Sequence, residues 1–126
     1  MAIEISNRQR LVPLVRLVRS EIIRIAAGAL AAARPRGQSS GAEAVIAFVR
    51  DPALHKLNAA YRGRDEETDV LSFPPSTEYN PDSGVYIGDV VISTDAVVRQ
   101  AALAGHSVER EINELVIHGI LHLCGY

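Results

Sequence analysis

Residues 42 to 50, Ala-Glu-Ala-Val-Ile-Ala-Phe-Val-Arg, form an apolar run that breaks directly into Asp51-Pro52. The run reads as a buried strand. Asp as an N-cap with Pro at the first helical position reads as the start of a helix. The rest of the chain follows the same alternation. Ala2 to Ser6 alternates as a short strand, and from about Leu11 apolar residues recur at Leu11, Val15, Val18, Ile22, Ile25 and Ala29, the spacing of an amphipathic helix. Residues 34 to 41 are a loop by composition. The helix opened by Asp51 should end near Tyr61, before a charged turn over residues 62 to 67. Thr68 to Phe73 reads as a strand stopped by Pro74-Pro75, and the Pro/Ser/Asn/Gly stretch over 76 to 84 as a loop able to act as a flap. Val85 to Ser93 is the next strand, followed by a helix capped at Ser93 or Thr94 and closed by Gly105. Ser107 caps the last helix, with Glu109 and Glu111 at the positive end of its dipole. This order predicts an α+β fold, a mixed sheet of about four strands with helices packed on it.

A length of 126 residues, 48% of them hydrophobic, suits one domain spanning residues 1 to 126. The formal net charge of −2 and a pI near 6.1 exclude a basic coat, so any nucleic-acid contact must be a local patch. All the basic residues but Lys56 are Arg, which suits bidentate phosphate recognition and equally a compositional bias. Arg10, Arg16, Ser20 and Arg24 fall mostly on the polar side of the first helix, as a solvated face or an RNA-facing one. The single cysteine, Cys124, cannot close an internal disulfide, the N-terminus lacks the apolar core of a signal peptide, and no uncharged apolar run reaches spanning length. A soluble, cytoplasmic protein with no membrane partner is expected.

The chemistry gathers at the end of the sequence, His118-Gly119-Ile120-Leu121-His122-Leu123-Cys124-Gly125-Tyr126. Residues four apart project from one face of a helix, so both imidazoles can converge on one divalent ion, although a helix can also carry such a pair as ordinary packing or surface residues. Two ligands are not a site: zinc takes three protein ligands with an open position, or four. Neutral imidazoles among Val116, Ile117, Ile120, Leu121 and Leu123 would be poorly satisfied in a core unless something bonds their nitrogens. Gly119 stands where a zinc peptidase carries its glutamate base, which disfavours that enzyme. Cys124 lies about 200° around the helix from His122, so packing is its expected role and metal ligation a remote one. Asp69 and Asp89 stand inside apolar strands, each as an acceptor for a neighbouring loop or as a group orienting a histidine or substrate.

Three segments read together: Leu57-Asn58-Ala59-Ala60-Tyr61-Arg62 running into Thr68-Asp69-Val70-Leu71-Ser72-Phe73-Pro74, then Ile87-Gly88-Asp89-Val90-Val91-Ile92, then His118 to Tyr126. Over residues 57 to 126 the chain resembles the YbeY family of metal-dependent endoribonucleases of bacterial ribosomal RNA maturation. In that family the last motif runs His-Gly-x-Leu-His-Leu-x-Gly-Tyr-Asp-His, and its three histidines hold one zinc ion. The resemblance implies that His118 and His122 are metal ligands and that the third lies beyond Tyr126. Either the sequence as given stops short within the motif, as its abrupt end after Gly125 suggests, or the chain as written is not a competent enzyme.

Arg62 matches the family arginine of the Tyr-Arg pair, which the resemblance implies acts on the RNA backbone; Arg64 lies near it without a motif role. A guanidinium beside a phosphodiester can bond two oxygens and balance the charge that grows as the bond breaks. The implied activity is single-strand-specific endoribonuclease action with Zn2+, in 16S rRNA 3′-end maturation and ribosome quality control, with rRNA and the small ribosomal subunit or its assembly factors as partners. Zinc would act as a Lewis acid or as a generator of the nucleophile. No residue is an obvious general base: Glu111 and Glu114, one to two turns before His118, read as solvated or supporting groups. Two other functions compete, a non-catalytic ribosome-assembly factor and, less well, a zinc hydrolase or peptidase.

Overall fold

A computed structural model of the chain describes residues 2–33, 42–62, 69–74 and 85–125. The elements are β1 (Ala2–Asn7), α1 (Arg16–Ala33), β2 (Ala42–Val49), α2 (Asp51–Arg62), β3 (Val70–Phe73), β4 (Val85–Ser93), α3 (Thr94–Ala104) and α4 (Val108–Leu123). They form an α+β fold around a four-stranded mixed sheet of order β1-β2-β4-β3. β1, β2 and β4 run parallel, and β3 pairs antiparallel with β4. The expected turn over 62 to 67 and the flap over 76 to 84 lie, apart from Arg62, outside the described residues.

β2 is apolar almost throughout because both of its faces are covered. Ala44, Ile46 and Phe48 enter the larger core, with Ile22, Ala26 and Leu30 of α1, Val90 and Ile92 of β4, and Ile112, Val116 and Ile120 of α4. Val49 and, in part, Ala47 face the other way, onto a smaller core of Leu54, Leu71 and Val91. α1 and α4 therefore cover one face and α2 the other. Among the described residues α2 covers only part of its face, and a groove of about 320 Å³ runs past Glu4, Glu43, Ala44, Val45 and Tyr86.

The local signals hold at the later helices. Ser93 caps α3 by accepting from the Ala96 N–H, Gly105 ends it at φ 72°, and Ser107 caps α4 by accepting from Arg110 N–H. α1 is a correction. It begins at Arg16 and not near Leu11; Leu11 and Val15 are exposed, while Val12 and Leu14 are buried. Pro13 has no N–H to give a helix, and the Gln9 amide instead clasps both the N–H and the carbonyl of Val12, at 2.8 Å each. The arginine side of the helix is solvent-facing at Arg16, Ser20 and Arg24.

Candidate metal and RNA site

α4 reaches the sheet where its sequence permits the closest approach. Gly119 lies over Val90, and a Cβ on it would fall 2.4 Å from Val90 Cγ1. One turn on, Leu123 lies by Gly88, which has a φ of +130° and stands so near the carbonyl of Phe73 that a Cβ would fall 2.2 Å from its oxygen. Ser72, directly opposite Val90 in β3, donates its hydroxyl to the Gly119 carbonyl at 3.2 Å. The register of α4 is thus fixed between its two histidines. The absence of a glutamate at 119 has a steric reason: the sheet leaves no room for one.

His118 and His122 are both exposed, so the expectation that they would need satisfying inside a core does not apply to them. Among the described residues, neither ring takes part in a hydrogen bond or ion pair. Two free imidazoles about 6 Å apart along one helix face suit a shared divalent ion. Cys124 packs against the larger core, as its angular position predicts.

The topology also brings Arg62 to this end of the sheet. α2 starts beside the end of β4, where Asp51 accepts from Ser93 Oγ, and passes Leu54 over the core formed with Leu71 and Val91. Its last turn, ending at Arg62, therefore points toward the start of β4. α4 runs from Gly119 over Val90 to Leu123 by Gly88, toward the same end. The two last turns flank the end of β3 from opposite faces. The Arg62 side chain lies outside the described residues, as does Arg64.

The two carboxylates expected inside strands divide. Asp69 is a correction: it lies just before β3, where its backbone carbonyl accepts from Ser93 N–H at 3.0 Å and closes the β3–β4 ladder. Asp89 accepts the Tyr86 hydroxyl and lies one residue from Val90, so it points to the α2 side, away from the histidines. Burial, and after it the charge of Glu4, raises the Asp89 carboxyl above its ordinary range.

Of the two readings of Glu111, solvated or supporting, burial removes the first. It is buried and meets His106 Nε2 at 2.7 Å, tying the α3–α4 turn to α4. Glu114 is exposed and pairs with Arg110 at 3.2 Å. His106, Glu111 and Glu114 bring donor atoms within 4.8 Å of one another, a group able to hold a metal ion. Within it His106 and Glu111 already answer each other and Glu114 answers Arg110, whereas the rings of His118 and His122 have no partner among the described residues. The sequence signal for the tie was a histidine just before the Ser107 cap, with a glutamate in the first turn beyond it.

The sequence matches the profile of the family described as Endoribonuclease YbeY over residues 4–126. The Endoribonuclease YbeY of Roseiflexus castenholzii is 50% identical over 88 residues, which are 67% of this chain and 55% of that protein. The protein of the same name from Moorella thermoacetica is 40% identical along a 134-residue alignment that takes in 100% of this chain and 83% of the relative. The chain thus spans just over half the length of the two Roseiflexus relatives, at 55% and 56%. The solution structure of TM1509 from Thermotoga maritima is similar at a TM-score of 0.62 and 25% identity, covering 98% of this chain and 73% of the other. On the profile match across nearly its whole length, the chain belongs to the YbeY family.

Proposed function

We propose that residues 1–126 form one domain of a metal-dependent endoribonuclease that cuts single-stranded RNA, with zinc held by His118 and His122 and the scissile phosphate held by Arg62. The cellular role we assign is cytoplasmic: 16S rRNA 3′-end maturation and quality control on the small ribosomal subunit. One observation carries the reading: two imidazoles without a partner among the described residues share a face of a firmly seated helix, whose last turn and the Arg62-bearing last turn of α2 flank the end of β3 from opposite faces. The endoribonuclease name of its relatives supports it.

When bound, the ion supplies Lewis-acid charge at the phosphoryl group. The chain's own residues do the rest. Arg62 offers a planar fork of donors to two phosphate oxygens and meets the charge that builds as the bond breaks. Its place in the last turn of α2 favours a cation there. The groove on the α2 face carries Glu4 and Glu43, which repel phosphate and direct RNA out of it, to the end of β3 between Arg62 and the histidines.

The test is cleavage of end-labelled single-stranded RNA by the zinc-loaded protein and its variants. His118→Ala and Arg62→Ala should each lose most of the cleavage, but only His118→Ala should also lose metal. Unchanged cleavage in His118→Ala would overturn the role of the histidine pair; no cleavage by the zinc-loaded parent, with binding to the small ribosomal subunit kept in His118→Ala, would favour a ribosome-assembly factor.

A further inference from the structure

We infer that Ser72 is a positioning residue for the histidine pair: its hydroxyl sets the rotation of α4, and through it the direction in which His118 and His122 present a metal ion. The inference rests on the metal reading above. Ser72 is 6% exposed and stands opposite Val90, so the two form a joint seat beneath Gly119. Val90 and Gly119 set how close the helix comes and bar any large rotation of α4, which would bring a side chain over Val90, so that only a small rotation remains to be set. The Ser72 hydroxyl adds direction. Within a helix the first lone pair of a carbonyl takes the N–H four residues on, and the second is open to a side chain. At Gly119 that second bond comes from β3, at 3.2 Å.

The size of the effect follows from leverage. A side chain reaches about 5–6 Å from the helix axis, so a rotation of roughly 20° carries its tip about 2 Å. Metal–ligand distances tolerate about 0.2 Å. Such a turn leaves the two imidazoles matched to each other but re-aims both against β3 and the end of α2. Ser72 therefore governs where the ion sits on the sheet, more than whether the pair can bind one.

The test uses Co(II) as a paramagnetic probe on the whole chain and reads the pseudocontact shifts of β3 and β4 amides. Ser72→Thr and Ser72→Val have nearly the same shape and differ in the hydroxyl, and Ser72→Ala adds a variant without overpacking. Ser72→Thr should keep the parent shifts. Ser72→Val and Ser72→Ala should bind Co(II) but show shifts reduced by roughly half, as the helix samples several rotations. Equal shifts in the Thr and Val variants, or parent shifts in Ser72→Ala, would overturn the positioning role. His118→Ala separates the two claims: if it binds Co(II) as the parent does, the metal reading fails; if it loses the ion, the Ser72 comparison stands on its own result.

Discussion

Gly119 and Val90 meet so closely that a methyl group on residue 119 would stand 2.4 Å from Val90 Cγ1. Alanine is the better helix former by about 1 kcal/mol, yet Gly119→Ala should destabilise the protein by roughly 1–3 kcal/mol through overpacking. Val90→Ala should relieve most of that penalty. Urea denaturation of the two single variants and the double variant measures the coupling, and strictly additive effects would deny the contact.

Gly88→Ala should cost more than Gly119→Ala. Its Cβ would meet the Phe73 carbonyl oxygen, a backbone atom, at 2.2 Å, and its φ of +130° strains any L side chain. Thermal melts of the two variants order the penalties. A smaller loss at 88 would mean that the β3–β4 pair yields more readily than α4.

Acid should act on two groups of carboxylates with opposite sign. Asp51 is held below its ordinary range chiefly by the hydrogen bond from Arg99 and also by Ser93; Asp95 is lowered by Arg50 and then by the Asp51 N–H. Their stabilisation is present above the ordinary carboxylate value of about 4 and is lost as pH falls through the lower folded values. Asp95→Asn should flatten that loss.

Asp89 works the other way. Its folded carboxyl is raised by burial and by Glu4, so its ionised form costs stability above that raised value, and the cost disappears as pH falls to the ordinary range. Asp89→Asn should therefore raise the melting temperature at neutral pH, with the gain vanishing in acid. Melting curves across that interval decide it, and a loss at neutral pH would show that the charge is compensated.

Leu71→Ala should cost roughly 2–5 kcal/mol, because the side chain is buried in the small core beneath α2. Leu17, 81% exposed on α1, should tolerate alanine within about 0.5 kcal/mol. Denaturant midpoints compare the two.

What was legible in the sequence was mostly local physics. Ser93, Gly105 and Ser107 announce helix ends because capping involves only neighbouring backbone groups, and the apolar run of β2 announces a strand covered on both sides. The start of α1 is not legible, because its apolar spacing continues through Pro13, while the clasp by Gln9 is a loop feature with no periodic signal. Gly119 could be read only as a missing base, since nothing local shows that Val90 lies beneath it. The Ser72 bond and the His106–Glu111 tie likewise depend on tertiary placement, the first joining residues 47 positions apart. The side on which Asp89 lies follows from alternation only once β4 is known to sit between α2 and α4.

The central claim is that His118 and His122 are the metal pair, and zinc titration against a competing chelator tests it most directly. A structural zinc site is worth roughly 10–16 kcal/mol over four ligands, or about 3–4 kcal/mol for each if shared evenly. At 1.4 kcal/mol per tenfold, His118→Ala and His122→Ala should each weaken binding by roughly a hundredfold or more. His106→Ala should leave it near the parent value. Parent affinity in His118→Ala, with binding lost instead in His106→Ala, would place the ion at the His106–Glu111–Glu114 group and contradict the account.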